Sequence, residues 1–501
     1  MSPASKLDSR VRAIAEPSLL AAAALMFAVL ARYHWQDLSD DAFIVFRYAR
    51  NLLAGQGPVW NPGETVEGFS SPLWLGLLAA GGALGLPLPA WAGALGAGFL
   101  AACLFLTHRL CDALCDSRRA AACACLAVAL LYPLYYWATA GLETTMFAAL
   151  VTAAAWSLVA SVPRGWVPVA ALLGVARPEG PFLALALVAL VGLAHGRAAL
   201  GAHRLALAFL PMLLWFLFRR VYYGDWLPNP YYAKATGVLG PRIEAGLIYS
   251  IWALLAWLMT AAASWLGGSF NRKLIATLTF LGMVLAMVVG EGGDWMWHGR
   301  MVAPALPALV ALAAAAIARG FGQRRWVALL ACLLVWSTFA PKASLLLDAL
   351  GGGRLPPTLA QEGTLTSASF EAARYIADHY PKNALVAVNH AGALPFALPN
   401  PAIDMTGLAD WHIAHQRPGA AHHKFDAAYV LARKPALVVL NSTTRPGEGG
   451  EWYHPGYWEG ETALLAQPGW TESYRPVDRF WEWHCIGGPP RYVVLFERVQ
   501  P

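Results

Sequence analysis

The sequence predicts an α-helical polytopic membrane protein of about eleven transmembrane helices, followed by a C-terminal α/β domain. Three observations carry this. Only 13% of the 501 residues are charged while 58% are hydrophobic, against about 25% charged in a soluble domain. Apolar runs alternate with short basic clusters such as "HRLCDALCDSRR", "NRK" and "GQRR", the pattern of spans joined by cytoplasmic loops. From about Lys342 the composition turns polar, and alternating patches replace the long runs. A net charge of +6 that comes from these loop clusters speaks for membrane orientation and not for nucleic acid.

The first run, residues 13–33, follows Lys6, Arg10 and Arg12, which places the N-terminus in the cytoplasm. It ends in "RYHWQD" without a small-residue cleavage site, so it reads as a retained anchor. The next segment, 34–88, then lies outside. It contains "DLSDDAFIVFRYARNLLAGQGPVWNPGE" and the interrupted apolar stretch "SPLWLGLLAAGGALGLPLP", read as a helix resting at the outer face. Runs at 89–107, 120–132 and 144–162 follow. "WVPVAALLGVA" and "PFLALALVALVGLA", on either side of "RPEG", are short for about 30 Å of hydrocarbon. Counting them as two spans keeps "NRK" and "GQRR" on the cytoplasmic side. Runs at 205–218, 245–266, 274–289, 301–318 and 326–340 complete the count. The domains are thus 1–342, transmembrane, and 343–501, outside. In the latter, "NALVAVNHAGALPFAL", "PALVVLNS" and "RYVVLFERV" read as strands. "SFEAARYIADHYP" and "FDAAYVLARK" read as amphipathic helices. Cys111 and Cys115 flank a basic loop but lack a second ligand pair for zinc.

On this topology many polar residues share the outer side: Asp40, Asp41, Glu143, Arg177, Glu179, Asn229, Lys234, Asp294, His298 and Arg300 among them. Ionisable groups at membrane depth are costly and mark functional sites. Adjacent carboxylates at Asp40 and Asp41 repel, which raises one pKa and suits general-base work on a sugar hydroxyl. They equally suit a helix cap after Ser39, or a divalent cation (Mg, Mn or Ca) held through oxygen. Arg177, Lys234 and Arg300 are candidate ligands for a donor phosphate, with a pair between Arg177 and Glu179 as the structural alternative. Glu143, Asn229, Asp294 and His298 are candidate substrate contacts; a helix-start acid and a structural histidine are the plainer readings of Glu143 and His298. No Walker loop, dinucleotide glycine fingerprint, zinc spacing or serine elbow is present. A lipid-phosphate donor therefore fits better than a nucleotide sugar.

"DDAFIVFRYARNLLAGQGPVWNPGETVEGFSSPLW", "GLETT", "ARPEG", "YYGDWLPNPYYAK", "GGDWMWHGR" and "TGLADWHIA" together resemble, in order, blocks of the GT-C superfamily of polyprenyl-phosphate-sugar glycosyltransferases. The wording is most like the branch containing the mycobacterial terminal β-(1→2)-arabinofuranosyltransferases, from about Asp37 to at least His412. The resemblance implies an inverting transfer of D-arabinofuranose from a polyprenyl phosphate to a cell-envelope glycan or glycoprotein, at the periplasmic face of the inner membrane. It implies a base at Asp40 or Asp41, with the neighbouring acid on the acceptor or a cation, and phosphate contacts from Arg177, Lys234 or Arg300. Pro230 in "LPNP" departs from the small polar residue of the pattern. The wider superfamily leaves mannose or aminoarabinose as donor sugars. A transporter or flippase of lipid-linked glycans is the alternative class. It should show broken midplane helices, whereas the polar residues here crowd one face.

Overall fold

The computed structural model describes residues 38–160, 165–234, 238–266, 270–294, 296, 298–319, 357–416, 424–448, 453, 458–484 and 490–499, with a few isolated positions between 17 and 25. The first and eleventh expected spans, with Cys332 and Cys485, lie outside the described residues. In chain order the helices begin α1 (Asp40–Leu53), α2 (Pro72–Ala83), α3 (Leu88–Cys115), α4 (Arg118–Ala129), α5 (Tyr132–Thr139), α6 (Thr144–Val159), α7 (Trp166–Leu173) and α8 (Gly180–His195). They continue as α9 (Ala202–Tyr222), α10 (Asn229–Lys234), α11 (Leu239–Leu266), α12 (Arg272–Glu291), α13 (Leu306–Ala318) and α14 (Pro357–His379). Then come β1 (Val386–Val388), α15 (Ala393–Ala397), β2 (Ala402–Asp404), α16 (Trp411–Ala414), α17 (Ala427–Ala432), β3 (Leu437–Ser442), α18 (Glu459–Leu465), α19 (Trp470–Ser473), β4 (Tyr474–His484) and β5 (Pro490–Arg498).

The chain forms two compact units. One comprises Met1–Trp35, Ala92–Trp215 and Val238–Leu347, the other Gln36–Trp91, Phe216–Gly237 and Asp348–Pro501. The first is helical. Among the described residues four helices, α3, α9, α11 and α12, are long and apolar enough to cross a membrane. The bent pair α4–α5, kinked by 59°, makes a fifth if it counts as one span. The expected count of eleven rests also on shorter helices. One of them, α7, has eight residues and rises only about 12 Å, less than half of a hydrocarbon core. Helix contact in this unit depends on glycine. A Cβ on Gly96 of α3 would stand 1.9 Å from the Ala138 carbonyl oxygen, and one on Gly246 of α11 would stand 2.3 Å from that of Val289. In lipid, where no hydrophobic drive joins helices, such close backbone approach supplies the packing.

The second unit is built on a five-stranded sheet of order β2-β1-β3-β5-β4. β1 runs parallel to both β2 and β3, and β5 runs antiparallel to β3 and β4. β3 lies at the centre with all six residues buried, as a continuous apolar run in a two-faced sheet should be. Its core includes Ala387, Ile403, Val438, Leu440, Trp470, Val494 and Phe496. The stretch "NALVAVNHAGALPFAL" is strand only at Val386–Val388. Its second half is α15, because Gly392 breaks the extended run and "ALPFA" buries Ala393, Leu394 and Pro395.

A carboxylate sits inside this unit. Glu461, fully buried, accepts hydrogen bonds from the Asn441 N–H at 3.0 Å, the Tyr453 hydroxyl at 2.6 Å and the Asn389 amide. Burial pushes its pKa up to about 7 against these donors. The folded state therefore holds a proton that the unfolded chain would release near 4.5. The stability this contributes is complete below that value and is lost as pH rises through about 7. Glu461→Gln is expected to abolish this pH dependence and to melt no lower than the parent at pH 8. Glu461→Ala, which leaves the donors unmatched, is expected to melt lower at every pH. Thermal unfolding of the detergent-solubilised chain from pH 5 to 8 checks both.

Candidate active site

The acidic pair opens α1 in the second unit. Ser39 makes no side-chain cap, so the helix start is stabilised by the charges of Asp40 and Asp41 in its first turn. Asp40 has a more specific partner. Its two carboxylate oxygens accept the backbone N–H groups of Gly392, at 3.1 Å, and Ala393, at 2.9 Å. These belong to the turn entering α15. A Cβ on Gly392 would fall 1.9 Å from the Asp40 backbone carbonyl oxygen and 2.5 Å from its carboxylate, so only glycine admits this approach. Burial raises the Asp40 carboxyl to about 6, and the two N–H donors hold it from rising further. A carboxylate offers about four lone-pair sites; two are taken, and a proton can still be received. Asp41 follows beside His390, whose imidazole burial lowers to about 4 against the pull of the Asp41 charge.

Arg47 and Arg50 sit about two and nearly three turns along α1. Arg47 is buried. It donates from Nε to the Trp60 carbonyl at 2.7 Å, from Nη2 to Asn61 Oδ1 and the Asn400 carbonyl, each at 3.0 Å, and from Nη1 to the Pro395 carbonyl. Its guanidinium also lies 4.6 Å from the centre of the Trp60 ring. Arg50 donates to the Phe396 carbonyl at 2.5 Å. The two arginines thus bolt α1 to the segment that carries α15, and so fix the place of Asp40 relative to Gly392. Arg219 forms a fork on Glu67, at 2.5 and 3.1 Å.

The "NPYYAK" residues also lie in this unit. The Asn229 amide donates to the carbonyls of Gly407, Leu408 and Asp410, at 2.8, 3.1 and 3.2 Å. That ties α10 to the "TGLADW" loop. Lys234 closes α10, and its side chain makes no hydrogen bond or ion pair to another described residue. Among the described residues no group of three or more His, Cys, Asp or Glu side chains is gathered as a metal would need. A cation at Asp40 and Asp41 would have to complete its oxygen shell from substrate and water.

In the helical unit five charged side chains form one network. Glu143, at the start of α6, does not cap its helix. Its Oε1 lies 3.2 Å from Arg300 Nη2 and 3.6 Å from Arg177 Nε. Arg177 Nε stands 3.0 Å from Glu179 Oε1, and Arg300 Nη1 stands 3.6 Å from Asp294 Oδ2. Two guanidinium groups are matched by three carboxylates, all largely buried. The Arg177 Nη2 donates to Met301 Sδ at 2.8 Å, while its Nη1 is buried without a hydrogen-bond partner among the described residues. His298 adopts a left-handed backbone, with φ of 63°. Its ring packs 4.7 Å from both Tyr132 and Tyr136, and its carbonyl accepts the Trp137 indole N–H at 3.1 Å. His298 of "GGDWMWHGR" is therefore packed onto "YPLYYWATA". Sequence reasoning named every charged member of this network. It missed Gly392 and Ala393, whose backbone N–H groups carry no side-chain signal.

Several known proteins resemble the chain in sequence or in fold. A family model described only as a domain of unknown function, DUF8728, matches residues 358–495. The chain is 32% identical over 336 residues to the terminal β-(1→2)-arabinofuranosyltransferase of Mycobacterium tuberculosis, covering 55% of this chain and 52% of the relative. It is 52% identical over 56 residues to the protein of the same name from Corynebacterium glutamicum, or 11% of this chain and 8% of the relative. The chain thus spans about half the length of the first of these curated relatives. The structure superposes on ArnT from Cupriavidus metallidurans, crystallised with undecaprenyl phosphate, with a TM-score of 0.56, 16% identity and coverage of 94% of this chain and 97% of the other. It superposes on the Archaeoglobus fulgidus oligosaccharyltransferase with a TM-score of 0.51, 12% identity and coverage of 97% and 74%. On its apolar helices and this match across nearly the whole chain, the protein is a multi-pass membrane protein that shares its fold with ArnT and the oligosaccharyltransferase and is related in sequence, over about half its length, to a terminal β-(1→2)-arabinofuranosyltransferase.

Proposed function

We propose that the protein is an inverting membrane glycosyltransferase. It moves D-arabinofuranose from a polyprenyl-phosphate donor to a hydroxyl of a cell-envelope glycan or glycoprotein, at the periplasmic face of the inner membrane. The observation that carries this reading is Asp40, a carboxylate fixed by two backbone N–H groups with its proton affinity raised toward neutrality. A base works best with a pKa near the working pH. Asp40 takes the proton of the acceptor hydroxyl as its oxygen attacks the anomeric carbon. The bond from that carbon to the phosphate oxygen breaks, and polyprenyl phosphate leaves with the electron pair. Asp41, one residue on, orients the acceptor.

Of the three cations considered for the phosphate, Arg177 and Arg300 already face carboxylates. Lys234 lacks an ion partner among the described residues, so it is assigned the leaving phosphate. Lys234→Ala is expected to raise KM for the lipid donor about tenfold or more, as loss of a charge-assisted contact does, with KM for the acceptor unchanged.

The reading is tested with the purified full chain in bilayers and a donor panel. Polyprenyl-phosphate arabinofuranose should be used; transfer of mannose or aminoarabinose instead would keep the fold-level reading and change the sugar. Transfer from a nucleotide sugar would remove the lipid-donor mechanism. The same assay in excess EDTA decides whether a divalent cation at Asp40 and Asp41 takes part. A reporter fused after Pro501 tests the side of the membrane.

A further inference from the structure

A cleft of about 510 Å³ opens on the second unit, lined by Ser367, Phe370, Glu371 and Arg374 of α14 and by Ala397 of α15. Its volume falls within the roughly 300–1,000 Å³ of small-ligand sites. Three features bear on what it holds. Its polar groups are of both signs and sit within two turns of one helix, so it presents a carboxylate, a guanidinium and a hydroxyl together. Phe370 adds an aromatic ring, itself fixed edge-on against Phe43 at 5.3 Å. Phe43 is in the first turn of α1, three residues after Asp40. Finally, α15 joins the cleft to the acid. Its N-terminal N–H groups hold the Asp40 carboxylate, while Ala397, at its other end, lines the cleft. Four residue steps along a helix cover about 6 Å.

We propose that this cleft is the subsite that receives the saccharide of the acceptor. The inference rests on the glycosyltransferase reading and names where its second substrate lies. A sugar ring has an apolar C–H face, which suits the Phe370 ring, and a rim of hydroxyls. Those hydroxyls can donate to Glu371 and accept from Arg374. A prenyl tail would leave both charges desolvated without partners, which is costly. The short span of α15 places one end of a seated saccharide within reach of Asp40, and the open side of the cleft lets the rest of the chain run on.

The test has two arms and uses the full chain in detergent. In the first, saturation-transfer NMR reads binding of soluble arabinofuranosyl, mannosyl and galactosyl tetrasaccharides without turnover. At least one should bind the parent, and that signal should vanish in Ser367→Trp, which fills the cleft from an exposed position. In the second, Arg374→Ala should raise KM for the acceptor about tenfold or more, the size of a lost charged hydrogen bond, while hydrolysis of the lipid donor by water stays at the parent rate. Binding that survives Ser367→Trp, or no binding by any tetrasaccharide, overturns the assignment. So does an unchanged acceptor KM in Arg374→Ala. Failure of the donor chemistry alone would show in the parent's hydrolysis rate and would leave the binding arm to judge the cleft.

Discussion

Asp40→Asn is expected to lower the rate of sugar transfer by about two to four orders of magnitude, the range of a lost general base. Donor binding should be preserved, since the contact assigned to the phosphate is Lys234. The variant keeps an oxygen that can accept one of the two N–H donors now at 2.9 and 3.1 Å, so the fold around α15 should hold. The pH profile gives a second readout. The base works deprotonated, so the parent rate should fall as pH drops below about 6, where burial has placed this carboxyl. Gly392→Ala approaches the same group from the other side. The added methyl would collide with the Asp40 backbone and carboxylate, and transfer should fall although both acids remain. If Asp40 served only to anchor the turn, Asp40→Asn would lower the melting temperature and leave turnover near normal. Initial rates from pH 5 to 8, with thermal unfolding of each variant, separate the two.

Glu143→Ala is expected to cost about 3–5 kcal/mol of stability, as removal of one member of a buried ion network does. Glu143 is the carboxylate between two arginines, 3.2 Å from Arg300 and 3.6 Å from Arg177. Without it the two guanidinium groups face each other in a largely buried setting. Glu179 and Asp294 remain to balance them only from the flanks, at 3.0 and 3.6 Å. The double variant Glu143→Ala with Arg300→Ala removes one of the two cations and should recover part of the loss. Thermal unfolding in one detergent compares parent, single and double variants. A parent-like melting temperature for the single variant would show that the network does not stabilise the unit.

These expectations depend on particular residues that were legible to different degrees. Three of the apolar runs translated well, because length and hydropathy set a long helix in lipid. The runs read at 89–107, 205–218 and 274–289 appear as α3, α9 and α12, each longer by several residues at its polar ends. The run before "RPEG" is the harder one to read, because the eight helical residues of α7 are consistent with either part of a span or a buried turn of helix, whereas the run after it forms the sixteen residues of α8. In the sheet, β3 and β5 were plain from their Val and Leu runs. β2, three residues long, and β4, with its polar and aromatic mixture and its register shift between Pro476 and Phe480, carry no such signal.

The sequence by itself determined that much of the chain is solvated by lipid, that an acidic pair opens an amphipathic helix, and that several arginines and carboxylates gather near helix ends. These follow from composition and local period, which are properties of neighbours in the chain. The tertiary structure decided the roles. It matched Arg177 and Arg300 to Glu143, Glu179 and Asp294 and turned Asn229 into a tether for three carbonyls. It also brought Gly392 and Ala393, about 350 residues away, onto Asp40. The physical reason is that a charge has the same symbol in the sequence whether it is matched or unmatched. Its partner is chosen by long-range packing, and the donors that position Asp40 are backbone N–H groups that every residue but proline possesses.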